Sequence, residues 1–296
     1  ALRGVTDYAN LGDCDLVIEA VFEDMDVKKD VFAKLDAVTR PNAVLATNTS
    51  YLDVDEIAQA VSDPTRVIGL HFFSPAHVMK LLEIIVAAKA SADTLATGMS
   101  LGRRLKKIIA AAGVCDGFIG NRIMSAYRRE ADYMIEDGAL PHEVDEAMTD
   151  FGFPMGIFAM QDLAGLDIAW AMRKRRAANR PADERYVEIA DRLCEAKRFG
   201  RKSGKGWYDY SQNKSGATDP EVTALIEAEA ERKGIKRKPL KRKEVLDRIL
   251  MAMQKEGQQI LDEGIAASGG VIDVVMINGF GFPRWRGGPM FLAGLT

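Results

Sequence analysis

The stretch RVIGLHFFSPAHVMKLLEIIVA (66–87) holds two short apolar runs, RVIGLHFF and KLLEIIVA, joined by the six residues SPAHVM. Runs of this length, rich in aliphatic residues and interrupted by a Ser-Pro break, are strand-like. Six residues are too few for the crossover that joins parallel strands. The two runs are therefore expected to pair antiparallel, or to lie end to end, at the edge of a sheet. Upstream, DLVIEAV (15–21) and AVLATNTS (43–50) are further apolar runs. Helical patterns separate them: VKKDVFAKLDAV (27–38), in which Val27, Val31, Phe32 and Leu35 are expected on the core face, and VDEIAQAV (54–61). Uninterrupted strands alternating with helices predict a sheet covered on both faces, an α/β domain with largely parallel strands.

From about residue 92 the periodicity turns helical, with one amphipathic segment over roughly 92–109 and only GRKSGKGWYDY (200–210) reading as a turn-rich closure. This half contains a repeat. NRIMSAYRREADYMIEDGA (121–139) matches DRILMAMQKEGQQILDEGI (247–265) at an offset of 126, and FGFP (151–154) returns at 280–283. Two similar helical units on one chain predict a face-to-face pairing that imitates a homodimer. The organisation expected is α/β plus all-α: 1–114, an incomplete Rossmann-type nucleotide-binding domain; 115–210, a first helical domain; 211–243, a linker with a helix and a basic run; and 244–296, a second helical copy. The basic run, RKGIKRKPLKRK (232–243), has eight basic residues in twelve and reads as a solvated connector.

Composition narrows the function classes. The 296 residues are 47% hydrophobic and 28% charged, which is enough apolar material for two folded domains. A formal net charge of −3 gives no global attraction to nucleic acid or an anionic membrane, and no apolar run approaches a membrane-spanning length. Cys14, Cys115 and Cys194 are widely spaced without CxxC, so packing thiols are expected rather than disulfides or a metal site. The chain reads as intracellular.

Chemistry gathers at the ends of the apolar runs. Glu23 follows the first, Ser50 the second and His71 ends the third, and ligands of open α/β sheets sit beyond strand carboxyl ends. Glu83 is the one ionisable residue inside LLEIIVA, and a buried carboxylate requires a partner. Periodicity alone leaves His71 and Glu83 as core residues; their place in a row of polar strand ends favours a base and the carboxylate that orients it. Asn121, in GFIGNRI, sits where a helix begins. A cap there could equally be aspartate, as Asp247 is in the second copy, whereas donation of a neutral amide hydrogen bond needs asparagine.

Together EAVFE, NTS, GLHFFSP, MKLLEII, GFIGNR and FGFPMG resemble the 3-hydroxyacyl-CoA dehydrogenase family across essentially the whole chain, and the doubled helical unit resembles the dehydrogenase part of multifunctional fatty-acid β-oxidation proteins. The resemblance implies NAD-linked oxidation of a 3-hydroxyacyl-CoA to the 3-ketoacyl-CoA. His71 is then the base and Glu83 its orienter, Ser50 and Asn121 hold the substrate, and Glu23 and Lys28 contact the cofactor on its ribose side. Ser74 stands where the family usually has asparagine, at a position associated with the cofactor. No GxGxxG loop follows a strand here, so the phosphate-binding loop is expected upstream of Ala1, together with an enoyl-CoA hydratase domain. An acyl-CoA substrate, a monomer through the internal pseudo-dimer or a homodimer, and a cytoplasmic, or alternatively peroxisomal or mitochondrial, location are implied. Two competing readings are an inactive helical scaffold and a dehydrogenase of small β-hydroxy acids, whose members resemble a lysine-based site instead.

Overall fold

The computed structural model describes residues 3–177, 180–181 and 183–296, excepting the side chains of residues 175 and 176. Ala1, on which the expectation of an upstream segment rests, lies outside them. The chain forms two compact units, Ala1–Met124 with Gln254–Thr296, and Ser125–Met253.

The first unit is built on a five-stranded sheet of sequential order: β1 (Leu16–Glu19), β2 (Val44–Thr47), β3 (Val67–Phe72), β4 (Leu81–Ile85) and β5 (Ile108–Ala112). β1, β2 and β3 are parallel, β3 and β4 antiparallel, and β4 and β5 parallel. The antiparallel pairing across SPAHVM is as expected, but its edge position is not. β5 lies beyond β4, in the region expected to continue the helix over 92–109. Helix α3 (Ala92–Arg104) instead stops where Lys106 takes a left-handed φ of 56°. IIAAA then enters the sheet as its edge strand; its alanines favour helix locally, and only Ala110 and Ala112 are buried.

Helices α1 (Met25–Val38) and α2 (Val54–Ala58) are started by Asp24 and Asp53, whose carboxylates accept from Val27 N and from Asp55 N and Glu56 N. In α1 the register is turned from the expected one. Val31, Phe32 and Leu35 are buried, but Val27 is 39% exposed and Lys28 takes the inner place. α3 lies on the sheet through glycines: a Cβ at Gly102 would stand 2.8 Å from Ile109. The central core is Val44, Ala46, Ile68, Leu70, Leu82 and Ile84.

The helical repeat is present. α4 (Gly120–Asp137), α5 (Pro141–Phe151) and α6 (Ile157–Ala164) correspond to α10 (Arg242–Asp262), α11 (Gly269–Gly279) and α12 (Pro289–Leu292), with α7 (Leu166–Arg176), α8 (Ile189–Glu195), the hairpin β6–β7 (Tyr208–Asp209, Ala217–Thr218) and α9 (Pro220–Arg232) between. The likeness extends to buried carboxylates. Asp145 accepts from Phe158 N and Ala159 N at the start of α6, and Asp273 accepts from Met290 N and Phe291 N at the start of α12.

In the second unit the basic run is a strapped connector. Arg232 pairs with Glu229, Lys233 with Glu136, and Arg242 with Glu146. Arg237 donates to the carbonyls of Ile135 and Ala139 at the end of α4. Trp207 packs edge-on against Phe158 with ring centroids 4.7 Å apart, and Asp162 accepts from Trp207 N and Tyr208 N, which fixes the expected non-helical closure.

Candidate active site

The sheet register pairs His71 directly with Glu83 across β3 and β4, so both side chains leave the same face. His71 Nδ1 lies 2.8 Å from Glu83 Oε2, and Glu83 Oε1 accepts from the backbone N–H of Gly120 at 3.0 Å, at the start of α4. Glu83 is 0% exposed and His71 is buried, with the rings of Phe73 and Phe118 at centroid distances of 4.5 and 5.7 Å. An ionised carboxylate only accepts hydrogen bonds. Nδ1 therefore carries its proton toward Glu83, and Nε2 is left as the basic nitrogen.

Asn121 follows Gly120, so the helix that supplies the amide to Glu83 also sets Asn121 beside the dyad in sequence. It occupies the second position of α4 and its side chain makes no capping bond among the described residues. Its counterpart Asp247 sits inside α10 and pairs with Lys243. The two copies thus use this position differently.

A second cluster forms at the ends of β1 and β2. Glu23 Oε1 accepts from Thr49 Oγ1, Ser50 N and Tyr51 N, so this carboxylate shapes the TNTS turn. Its side chain remains about a third exposed, at 34%, beside Phe22, which is 84% exposed. An open carboxylate, an uncovered ring and the strand ends thus form one rim. Lys28 is placed beneath this rim. Its side chain is 1% exposed, with Nζ 2.8 Å from Glu19 Oε1 and 3.6 Å from Glu23 Oε2. The strand ends are joined by Asn48, whose Oδ1 accepts from Phe72 N at 2.8 Å, next to His71.

Ser74 lies on the exposed loop after β3, preceding a cis peptide bond to Pro75. Lys107, at the start of β5, holds that loop by donating to the carbonyls of Ala76 and Met79. Glu19, Asn48 and Lys107 were not singled out from the sequence. Glu19 had a usable signal, since it is the one ionisable residue within LVIEAV, the rule that picked out Glu83. The thiols take no part: burial pushes Cys115 up and Cys194 up to about 11, and all three cysteines are free. Among the described residues no cluster of potential ligands could hold a metal ion, and no helix is long and apolar enough to cross a membrane.

The 3-hydroxyacyl-CoA dehydrogenase NAD-binding domain matches residues 1–114, and the C-terminal domain of the same family matches residues 117–210. The peroxisomal bifunctional enzyme of Cavia porcellus is 47% identical over 98% of the chain, and the chain spans 42% of that relative's length. Among solved structures, the 3-hydroxybutyryl-CoA dehydrogenase of Escherichia coli superposes with a TM-score of 0.80 at 26% identity, covering 98% of this chain and 76% of that one. The dehydrogenase part of multifunctional enzyme 1 from C. elegans gives a TM-score of 0.66 at 31% identity, covering 94% and 63%. The fold, the doubled helices and these matches agree: the chain belongs to the 3-hydroxyacyl-CoA dehydrogenase family.

Proposed function

We propose that this chain carries the dehydrogenase activity of a multifunctional β-oxidation protein, oxidising a 3-hydroxyacyl-CoA to the 3-ketoacyl-CoA. The observation that carries this reading is the buried His71–Glu83 pair, 2.8 Å apart and tied through Gly120 to α4. His71 Nε2 takes the proton of the 3-hydroxyl as C3 becomes a carbonyl, and the Glu83 carboxylate stabilises the imidazolium that results. Bound NAD supplies the acceptor for the hydride that leaves C3. Ser50 and Asn121 hold the substrate's 3-oxygen and thioester carbonyl. Neither side chain is committed to another hydrogen bond among the described residues, which leaves both free to position the substrate.

Glu23 receives the ribose, and Lys28 acts on the cofactor through Glu23 from beneath. Ser74 lines the same approach on the loop that Lys107 holds. The relative named a peroxisomal enzyme supports a peroxisomal location over a cytoplasmic one, and an upstream hydratase is part of this reading. The protein is a monomer or a homodimer, and sedimentation velocity distinguishes the two.

The test is NADH oxidation by the full-length protein with acetoacetyl-CoA. His71→Ala should lower kcat by about 10³-fold, within the range expected for loss of a general base. A rate that survives this substitution would remove the assignment, and an inactive wild-type protein would favour the scaffold reading.

A further inference from the structure

The second helical copy comes nearest the dyad through the ring of Phe280, with Val275 beside it. α11 ends at Gly279, and Phe280 follows in the second FGFP. A Cβ built on Gly120 would stand 2.1 Å from Phe280 Cε2 and 2.7 Å from its Cζ, so the ring lies flush against the Gly120 backbone. Gly120 is the residue whose N–H holds Glu83. On its other side the Phe280 ring meets Phe73 edge-on, with centroids 5.6 Å apart at 85°, and Phe73 lies against the His71 imidazole. Phe280 thus backs both partners of the dyad: Glu83 through the Gly120 amide and His71 through Phe73.

Two glycines permit this approach. Gly120 leaves room for the ring, and a Cβ on Gly279 would stand 2.6 Å from Leu81 Cδ2 on β4. The first copy is built otherwise at the equivalent positions. Asp150 replaces Gly279 and pairs with Arg242, and Phe151 stacks on Phe153 with centroids 6.0 Å apart. The first phenylalanine of FGFP thus stacks on the second in one copy and lies behind the dyad in the other.

We infer that Phe280 is a positioning residue for the reaction, and that the second helical copy is part of the catalytic apparatus through it. This rests on the dehydrogenase reading above. Loss of the ring frees the Gly120 amide and Phe73 to shift, and displacement of catalytic groups by about 1 Å is worth about 10²-fold in rate. In the full-length protein Phe280→Ala should lower kcat with acetoacetyl-CoA by about 30-fold, with KM changed less than about threefold, since substrate contacts are untouched.

Gly120→Ala should lower kcat by about 300-fold, because the new methyl also overlaps the ring. The double variant Gly120→Ala/Phe280→Ala should recover about tenfold over Gly120→Ala, because removing the ring makes room for the new methyl. The His71 Nδ1 proton in ¹⁵N-histidine-labelled protein reports the dyad without any turnover. It is assigned among the three histidines with His77→Gln and His142→Gln variants. It should shift in Phe280→Ala. Should that variant fail to fold, Phe280→Leu, which keeps apolar bulk but no ring edge, carries the same measurements. An unshifted Nδ1 proton, an unchanged kcat, or no recovery in the double variant would each overturn the inference. If the wild-type protein does not oxidise NADH, the functional reading fails while the resonance still decides whether Phe280 positions the pair.

Discussion

At His71 the proposed base is oriented by its neighbour across the sheet. Glu83 is buried and bonded on both oxygens, to His71 Nδ1 and Gly120 N, so its orientation is fixed. Glu83→Gln keeps the shape and removes the charge that stabilises the imidazolium. It should lower kcat by about 10²-fold with KM within about threefold, measured by NADH oxidation. A different carboxylate sets a stability effect. Asp132 on α4 has a buried Oδ1 with no hydrogen-bond partner, and burial raises its pKa from 3.8 to about 6. With its folded pKa above the unfolded one, it contributes stability that is full below about pH 4 and is lost as the pH rises through about 6. Asp132→Asn should therefore be more stable than the wild type at pH 8, by about 2 kcal/mol in urea unfolding, with the advantage vanishing near pH 4.

Elements meet where small residues let them. Gly69, in the middle of β3, would place a Cβ 2.6 Å from Ile85 Cβ on β4, an atom that no side-chain rotation can move away. Gly69→Ala should cost about 1–3 kcal/mol of stability in chemical denaturation, and should also reduce activity because the same strand pair carries His71 and Glu83. The identities of β1 to β4 were legible because each is a short apolar run with polar ends. β5 was not, because alternation is absent and alanine reads as helix. Val27 and Lys28 were exchanged for a related reason. Helical spacing assigns the apolar residue to the core, but the buried Glu19 at the end of β1 requires a cation, and Lys28 is the one that reaches it at 2.8 Å.

Across the whole molecule the duplication sets a reciprocal pattern of charge. In one unit Arg122 of α4 binds Glu256 and Glu263 of α10; in the other Arg248 of α10 binds Glu130 and Asp137 of α4. Each set is the other displaced by 126 residues, as a duplicated helical unit requires. Arg122→Glu sets three carboxylates together and should lower stability by about 2 kcal/mol. Adding Glu256→Arg should recover part of that loss, and the unfolding midpoint in urea measures both. The duplication itself was readable from the offset alone, whereas the divergent use of FGFP was not.

Sequence alone determined the α/β class, the helical repeat, the family resemblance and the row of polar strand ends, because these depend on residue type and on spacing within one element. Tertiary structure decided which of those residues act together. The register sets His71 opposite Glu83, the turn of α1 buries Lys28 on Glu19, and two glycines admit Phe280 behind Gly120. Each is a contact between elements, in which the cost of an unpaired buried charge or of overlapping atoms selects the partner.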